Sequence, residues 1–420
     1  MGIGYACIHI GSEETKLSAI TLKNATDENL RLVIKKNLNA LKKIIQYNID
    51  NDIRLFRISS DIIPFGSHPM NTLDWEKEFK SEINELSAMI GGSKMRISMH
   101  PGQYTVLNSI RQDVVDRAIV DLEYHCKFLD ALACSTASKI VLHVGGVYGD
   151  KKASSDSFIK NHNALTRGIK SRLVIENDDT SYNISDVLSI SKETGIPVVF
   201  DVLHHHVNAP NEELLIEDWI KLAGKTWRES DGVQKIHYSQ ENPNGKKGAH
   251  SKYIRSSQFL DFYNNHIIDN IDIMLEVKDK NLSAIKCKLL TAKNIHIKQL
   301  EKQWAKYKYF VLSKSSSIYD EIRSLLKDKN NPAATRFYVL IDEALEKEIN
   351  MGAEINAAQH VWGYISKKAN PSEVKRYKKL ITGYENGENK IEAVKRHLFK
   401  CAKRQDIDYL LQSLYFYILI

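Results

Sequence analysis

Eight short runs of apolar, β-branched residues recur along the first two thirds of the chain, and longer segments with helical spacing separate them. Residues 113–133, for example, carry apolar side chains every three or four positions, as one face of a helix requires. This alternation predicts an α/β fold, and eight repeats predict a closed (β/α)8 TIM barrel. An open doubly wound sheet would carry a glycine fingerprint, but GIGYA at residues 2–6 lacks the third glycine. The predicted strands are residues 3–8, 55–59, 95–99, 139–143, 172–176, 197–201, 233–237 and 272–276.

The pattern changes near residue 295. Beyond it, segments such as QLEKQWAKYKYFVL (299–312) and VKRYKKLITGYENG (374–387) have helical spacing with aromatic stripes, and no strand alternation remains. We therefore expect a TIM-barrel domain over residues 1–295 and a smaller, all-helical domain over residues 296–420.

Charge is unevenly distributed between these two parts. The 420-residue chain has a formal net charge of +7, and residues 301–420 alone hold 21 Lys and Arg against 15 Asp and Glu. Residues 1–300 are therefore close to neutral. If this first part binds a polyanion, something other than net charge must supply the attraction, and bound metal cations would do so.

Cysteine usage and hydropathy limit the compartment. The five cysteines are scattered without a CxxC pair, which argues against a disulfide framework and against a cysteine-based zinc finger. No apolar run is long enough to cross a bilayer, and the N-terminus lacks the basic and apolar regions of a signal peptide. These features predict a protein of the reducing cytoplasm with no membrane partner.

Side chains that commonly bind metals follow seven of the eight predicted strands. Because the carboxyl ends of parallel barrel strands meet at one rim, these side chains should converge there. The candidate ligands are His68, His100, His143, Glu176, Asp201, His204, His237, His250 and Glu276.

Nine nitrogen and oxygen ligands exceed the three or four protein ligands of one zinc ion, so the pattern predicts a cluster of two or three ions. Imidazole and carboxylate without thiolate suit zinc, manganese or iron. Such a cluster favours in-line attack at phosphorus. Within the run 204–206, His204 is the residue placed in the ligand set. Packing or surface positions are expected for His9, His125, His162, His266 and His296.

Lys235 precedes His237 by two positions, so both side chains point to the same side of the seventh strand. A lysine inside the barrel needs a partner or a changed charge. Two solutions are open. The amine pairs with a carboxylate, or it is carboxylated and becomes an anion that bridges metal ions.

Six stretches together resemble the UV damage endonuclease family of TIM-barrel DNA-repair enzymes. They are RISSDIIPFGSHP, MRISMHPGQYTVLNS, IVLHVGGVYGDK, RLVIENDD, VVFDVLHHHVN and MLEVKDK, within the first 285 residues. The resemblance implies single-strand incision of damaged double-stranded DNA immediately 5′ to cyclobutane pyrimidine dimers, 6-4 photoproducts and abasic sites. The products would carry a 3′-hydroxyl and a 5′-phosphate. No nucleotide cofactor is implied, and a monomer would suffice.

The resemblance also implies roles at the metal site. The nine candidate ligands would hold three ions, typically including manganese, with zinc as the other metal considered. The family's carboxylated lysine would fall on Lys235. Catalysis would depend on Lys235, His237 and Glu276.

Lesion recognition would fall on a second group of residues. The pair that the family pushes into the duplex opposite the damage corresponds to Gln103 and Tyr104. Tyr104 can stack on an exposed base, and Gln103 can hydrogen-bond to one without demanding a particular sequence. The alternative is that this pair only shapes a loop of the metal site. Tyr5 is expected to line the lesion pocket, whereas His9 stands where the family often has asparagine.

Three other functions fit parts of the pattern. An abasic-site endonuclease without photoproduct activity would use the same chemistry. A sugar isomerase would use the same barrel, but usually with a carboxylate-rich site. A non-catalytic damage-binding protein would have little use for so many metal ligands. The helical tail resembles a small domain of unknown function, and its basic surplus indicates either contact with the DNA backbone or an ordinary solvated surface.

Overall fold

The computed structural model describes residues 2–211, 213–267 and 270–418. Eight parallel strands follow one another in chain order and close into a barrel, because the first strand pairs with both the second and the eighth. The predicted TIM barrel is thereby confirmed. The strands are β1 (Ile3–Ala6), β2 (Leu55–Ile58), β3 (Arg96–Met99), β4 (Lys139–His143), β5 (Leu173–Glu176), β6 (Val198–Asp201), β7 (Lys235–Tyr238) and β8 (Asp272–Leu275).

The observed strands differ from the predicted ones only at their ends. Strand β1 stops at Ala6 because Cys7 adopts a left-handed backbone conformation with φ of 71°. Strand β7 begins at Lys235, two residues later than predicted, and extends to Tyr238.

Eleven helices accompany the strands within the described residues. The first begins after Thr26, whose side chain accepts a hydrogen bond from the backbone nitrogen of Asn29 at 3.3 Å. The helices are α1 (Asp27–Asp50), α2 (Trp75–Glu78), α3 (Lys80–Ser93), α4 (Gln112–Ala131), α5 (Lys151–Ala164), α6 (Arg167–Arg172), α7 (Ile184–Thr194), α8 (Val202–Val207), α9 (Ile216–Gly224), α10 (Ser256–His266) and α11 (Asn281–Leu290).

The tail is helical throughout its described part, as its sequence pattern predicts. Its core is built from apolar and aromatic side chains, including Tyr309, Val361, Leu398 and Tyr415. The helices are α12 (Ile297–Leu312), α13 (Ser316–Leu325), α14 (Ala334–Glu346), α15 (Met351–Ile365), α16 (Pro371–Glu385), α17 (Ile391–Arg404) and α18 (Asp408–Leu411).

The chain forms two compact units. One comprises the N-terminal segment to His9 with residues 14–254 and 261–285, and it contains every strand of the barrel. The other comprises residues 10–13 and 255–260 with the chain from Lys286 onward. Among the helices that the structure describes, none combines the length and apolar character needed to cross a membrane.

Charged side chains occupy the amino-terminal end of the barrel interior. We call Arg96, Lys139, Asp231 and Asp272 the floor charges. Arg96 Nη1 donates to Asp272 Oδ2 at 3.0 Å, and Lys139 Nζ donates to Asp231 Oδ1 at 2.5 Å. Arg96 also donates to the carbonyl of Asp231 at 2.9 Å, and Lys139 to that of Ser171 at 2.8 Å. Each floor charge therefore has a partner of opposite charge.

Every second residue of a barrel strand points into the interior, so these residues line it from the floor to the opposite rim. On β4, Lys139 belongs to the floor, Val141 packs in an apolar cluster with Val174 and Val199, and His143 ends the strand. The period of two therefore places the last inward-facing residue of β4 at the rim, where the candidate ligands collect.

Candidate metal centre

Glu176, at the end of β5, lies at the centre of the candidate site and is buried. Its Oε1 is 2.7 Å from His100 Nε2 and 2.9 Å from His143 Nε2. Its Oε2 is 2.5 Å from Nδ1 of His237. Four strands, β3, β4, β5 and β7, thus place one carboxylate among three imidazoles.

A second carboxylate approaches the same imidazole from β8. Glu276 Oε1 lies 3.2 Å from His237 Nδ1, and its Oε2 lies 3.9 Å from His250 Nδ1. Arg57, from β2, donates to Glu276 Oε1 at 2.5 Å. Arg57 was not among the predicted site residues, because a mid-strand arginine carries no ligand pattern in the sequence.

Asp201 and His204 form the third part of the cluster. Asp201 ends β6 and caps α8, since its Oδ1 accepts from the backbone nitrogen of His204 at 2.7 Å. One oxygen of Asp201 lies within 4.8 Å of ligand atoms of Glu176 and His237. The His204 ring centroid is 5.9 Å from that of His143 and 6.2 Å from that of His250.

Eight of the nine predicted ligands are therefore connected through short contacts. The ninth, His68, is exposed, and no contact with the other eight is found among the described residues. Its Nδ1 accepts from the backbone nitrogen of Met70 at 3.0 Å, which fixes the ring and leaves Nε2 open.

The cluster fits divalent cations because several of its buried atoms have no hydrogen-bond partner. Within the described residues these are Oε2 of Glu176, Oδ2 of Asp201 and both ring nitrogens of His237. The short contact between Glu176 and His237 lacks the alignment of a hydrogen bond, so both atoms face a common space. Buried polar atoms nearly always have hydrogen-bond partners in native proteins, and a bound metal ion is a standard reason for exceptions. Nitrogen and oxygen donors of this kind suit zinc, manganese or iron.

Backbone carbonyls orient two of the imidazoles. His100 Nδ1 lies 3.0 Å from the carbonyl oxygen of Pro101, and His204 Nδ1 lies 2.9 Å from that of Asn177. A nitrogen that donates to a carbonyl leaves the other ring nitrogen as a lone-pair donor, which is the usual arrangement of metal-binding histidines. Asn177 also pairs with the backbone of Asp201 through its amide, at 2.9 and 3.0 Å.

The cluster is electrostatically coupled. Burial alone would raise the pKa of Glu176, but the imidazoles of His237, His143 and His100 outweigh it and hold that pKa well below its usual range. Burial raises the pKa of Asp201. For His204, burial works against the Asp201 carboxylate, which prevails and raises the pKa to about 9.

Lys235 is the first residue of β7, faces the same side as His237, and is the register partner of Asp272 on β8. Its side chain is completely buried, and its Nζ has no hydrogen-bond partner among the described residues. Burial lowers the pKa of the amine well below its usual range, and the nearby Arg96 guanidinium lowers it further. Of the two solutions expected from the sequence, the ion pair is not found among the described residues, and the lowered pKa favours the uncharged form of the amine.

Gln103 and Tyr104 form the exposed tip of a tight turn that follows β3. The turn closes when Thr105 donates its backbone N–H to the carbonyl of Gly102 at 2.9 Å. A Cβ added at Gly102 would come within 2.5 Å of the Tyr104 ring and would push that exposed ring aside. Tyr104 is 70% exposed, so its ring is available to a macromolecular ligand.

Tyr5 does not occupy the predicted position. It is wholly buried, its hydroxyl donates to Asn48 Oδ1 of α1 at 2.9 Å, and its ring packs edge-on against Phe56. The alternation along β1 turns Tyr5 outward, toward the helix layer. The expectation that Tyr5 lines a lesion pocket is therefore wrong.

Helix α4 carries a polar network that the sequence patterns did not indicate. Asp121 is buried and accepts hydrogen bonds from the hydroxyls of Ser67 and Thr105, both at 2.7 Å. One carboxylate therefore joins the loop before His68 to the turn that presents Tyr104. The only signal in the sequence is a charged residue on the apolar face of an otherwise regular helix.

His125, one turn along α4, is also part of this network. Its Nε2 lies 2.9 Å from Ser60 Oγ, which donates to the carbonyl of His100 at 2.7 Å. His125 is buried, in agreement with its expected packing position. The other histidines expected outside the ligand set lie elsewhere. His9 contacts Thr15, His162 stacks on Phe158, His266 pairs with Glu217, and His296 caps α12.

Known proteins resemble both parts of the chain. Residues 4–308 match the family model described as UV-endonuclease UvdE, and residues 308–418 match one described as Protein of unknown function (DUF1722). A UV DNA damage endonuclease of Clostridium perfringens (strain 13 / Type A) is 39% identical over 409 residues, covering 96% of both chains.

Two further similarities concern the barrel part. A UV DNA damage endonuclease of Bacillus cereus (strain G9842) is 35% identical over 269 residues, covering 63% of this chain and 83% of the relative. The crystal structure of SacUVDE superposes with a TM-score of 0.64 at 40% identity, covering 68% of this chain and 96% of that one. Family model, full-length relative and solved structure agree with the family resemblance expected from the six motifs. The chain belongs to the UV-endonuclease UvdE family.

Proposed function

We propose that the chain is a metal-dependent DNA-repair endonuclease that nicks one strand immediately 5′ to UV photoproducts. Its substrates would be cyclobutane pyrimidine dimers, 6-4 photoproducts and abasic sites in double-stranded DNA, and its products a 3′-hydroxyl and a 5′-phosphate. The observation that carries the proposal is the cluster of eight connected ligands around Glu176 at the rim of a UvdE-family barrel.

The nine predicted ligands would hold up to three divalent ions, with manganese expected and zinc as the alternative. Bound there, the ions would supply the Lewis acidity that phosphodiester hydrolysis requires. Glu176 would contribute both carboxylate oxygens, because Oε1 faces His100 and His143 whereas Oε2 faces His237. His68 would join when its loop places Nε2 against the cluster.

The chain's own residues would hold the charges of the site in place. Arg57 clamps Glu276 and balances its charge, so this carboxylate stays ionised and oriented toward His237. Burial raises the pKa of Glu276, but the Arg57 guanidinium prevails and lowers it below its usual value. We assign catalytic roles to Glu276, His237 and Lys235.

Lys235 would be carboxylated. Its buried, neutral amine has the lone pair needed to attack carbon dioxide. The nitrogen forms a bond to carbon, one carbon–oxygen π bond becomes a lone pair, and the amine releases one proton, leaving a carbamate anion. Such an anion would remove the unpartnered amine and add a ligand next to His237. Nuclear magnetic resonance with ¹³C-labelled bicarbonate tests this, and Lys235→Arg should abolish the carbamate signal.

Gln103 and Tyr104 would probe the duplex for damage. The exposed turn can enter a duplex whose stacking is already weakened, and the Tyr104 ring can take the place of a lost stacking partner. We assign this activity to residues 1–295 and treat residues 296–420 as a separate helical domain. A monomer without a nucleotide cofactor would suffice, acting in the bacterial cytoplasm where chromosomal DNA lies.

The deciding experiment is a nicking assay on a labelled duplex that holds one defined cyclobutane dimer, with manganese and then with chelator. A cut immediately 5′ to the dimer, lost with chelator, is the expected result. No cut at the dimer, with cutting at an abasic site in the same buffer, would establish the abasic-site activity instead. It would also remove Gln103 and Tyr104 from the role of damage probe.

A further inference from the structure

Positive charge in the tail is concentrated on two neighbouring helices. Residues 371–404, which contain α16 and α17, hold ten Lys and Arg against four Asp and Glu. This surplus of six equals the whole surplus of residues 301–420. The rest of the tail is therefore neutral, and the two helices alone account for its basic character.

Most of the cations in residues 371–404 are unpaired, whereas the other parts of the tail contain both paired and unpaired cations. Elsewhere Arg336 pairs with Glu321 and Glu343, and Lys329 pairs with Glu301. On α16, α17 and their connection, seven cations make no ion pair, hydrogen bond or cation–π contact with any residue that the structure describes. They are Lys375, Arg376, Lys378, Lys379, Lys390, Arg396 and Lys400. Unpaired like charges repel one another, so such a surface gains most from a polyanionic ligand.

Three of the seven converge on one cavity of about 350 Å³ between the two helices. Arg376 comes from α16, whereas Arg396 and Lys400 come from one stripe of α17 that begins at Ala393. The spacing of three and four residues places both cations above the small Ala393 side chain. The cavity is thus lined by cations and has room between them.

Two further side chains, His397 and Glu373, are held in fixed positions beside the cavity by hydrogen bonds. His397 lines it and is buried, with Nε2 3.0 Å from the carbonyl of Glu373. The carboxylate of Glu373 faces Arg404, which donates to it twice at 2.6 and 2.7 Å. These bonds outweigh burial and hold the pKa of Glu373 at about 2. The Glu373 carboxylate is therefore paired with Arg404, and none of the three cavity cations has an acidic partner among the described residues.

We propose that this cavity binds a phosphate of the DNA backbone, so that the helical tail is a sequence-independent DNA-binding module. Guanidinium groups bind phosphate oxygens in pairs, and lysine adds a point charge. A membrane is a poorer partner, because no large apolar side chain of α16 or α17 is exposed among the described residues. The choice of DNA over other polyanions rests on the proposed function of the barrel.

The test is the salt dependence of binding by the full chain to an undamaged duplex, followed by fluorescence anisotropy. Arg376→Gln/Arg396→Gln/Lys400→Gln removes the cavity charges. Lys298→Gln/Lys327→Gln/Lys347→Gln removes the same charge from three exposed tail lysines on separate segments and serves as the matched control. Each lost phosphate contact lowers the slope of log K against log salt by about 0.9. In the cavity variant the magnitude of this slope should fall by about 2 to 3, and the affinity for the duplex at low salt should fall roughly tenfold. The control should lose less than about 1.

Equal slopes in the two triple variants would overturn the proposal. An unchanged slope with loss of inorganic phosphate binding, measured by calorimetry, would make the cavity a site for free phosphate. A slope change seen with single-stranded RNA and not with the duplex would assign it to RNA. Arg376→Lys/Arg396→Lys should retain most of the slope, which separates loss of charge from loss of folding.

Incision of a dimer at low salt and saturating enzyme should match wild type in both triple variants. If wild type itself makes no incision but the slopes differ, the proposed function fails and this inference stands.

Discussion

The two ends of the barrel interior both bury charged side chains, yet they treat them in opposite ways. At the floor, Arg96 is bonded to Asp272 and Lys139 to Asp231. At the rim, Oε2 of Glu176, Oδ2 of Asp201 and both nitrogens of His237 lack hydrogen-bond partners in the described chain. The same strands build both ends, so strand geometry does not explain the difference.

The comparison separates structural charge from functional charge. A buried ion pair that is complete within the protein needs nothing further and contributes to a defined fold. A buried cluster that is incomplete costs free energy unless a ligand completes it. Bound metal ions would therefore satisfy the rim and not the floor. Burial or residue type alone would not have distinguished the two ends.

The largest effect should come from Glu176→Gln. An amide cannot offer two carboxylate oxygens to the imidazoles and the ions between them, so incision of a dimer should fall at least roughly 10⁴-fold, or about 5.5 kcal/mol. A radiolabelled nicking assay measures this. Glu217→Gln removes the partner of His266 in a Glu–His pair away from the rim and should leave incision unchanged. Wild-type rates in Glu176→Gln would disprove the metal centre.

Breaking the floor should affect stability rather than chemistry. Lys139→Met leaves the buried Asp231 carboxylate without its ammonium partner, and the free energy of unfolding should fall by about 3–5 kcal/mol. Urea unfolding gives the value. The matched control is Lys152→Met, because Lys152 is 82% exposed in its pair with Asp156 and should behave like wild type. The folded Lys139→Met protein should still incise DNA, and a selective loss of incision would place the floor in the active site.

Removing metal should destabilise the barrel only when the rim is intact. At a free metal concentration 100 to 1,000 times Kd, binding adds about 2.7 to 4.1 kcal/mol to the unfolding free energy. Chelator should therefore lower the Tm of wild type in a calorimetric scan. In Glu176→Gln the shift should shrink, and the apo protein should be no less stable than apo wild type. A chelator effect of equal size in both proteins would point to a metal site away from Glu176.

Tyr104→Ala should weaken damage recognition without touching the metal centre. Loss of one base-stacking ring costs about 1–3 kcal/mol, so the preference for a dimer-containing duplex over an undamaged one should fall by a factor of about 5 to 150. Competition binding measures the preference. Tyr104→Phe keeps the ring and should keep most of the preference, and a Phe variant as weak as Ala would transfer the role to the hydroxyl. The metal-dependent Tm shift should survive in both.

Asp121→Asn should give the smallest effect. The amide has one acceptor oxygen for two hydroxyl donors, so either Ser67 or Thr105 loses a hydrogen bond worth about 1 kcal/mol. The preference for damaged duplex should fall about fivefold at an unchanged incision rate under saturating enzyme. Asp116→Asn, an exposed residue of the same helix that bonds Gln112, is the control. Equal preferences in both variants would show that Asp121 does not position the turn.

Most of the site was predictable because it repeats. Seven strands are followed by the same type of side chain, and six of them, β3 to β8, bring together eight of the nine predicted ligands. The residues that the sequence analysis missed do not belong to such a repeated pattern. Arg57, Asn177 and Asp121 each hold a neighbour through a contact with a distant part of the chain, and no spacing along the sequence indicates such a contact.

Tyr5 and Lys235 show how far a single position can be predicted. The strand period relates Lys235 to His237, but whether the amine has a partner depends on side chains from other strands. Tyr5 was placed in the site by analogy, and its outward direction on β1 could not be derived from a four-residue strand. An alternation of two allows Tyr5 to point either into the barrel or toward the helices, and packing against α1 decides for the helices.

The sequence by itself determined the number of strands, the closed barrel, the helical tail and the chemical type of the rim, because each depends on local periodicity or on residues at strand ends. Tertiary structure alone decided which buried charged groups have hydrogen-bond or ion-pair partners and which do not. It also decided which helices gather unpaired cations around a cavity. The physical reason is that satisfaction of a polar group is a property of all its neighbours at once, and those neighbours come together only when the chain has folded.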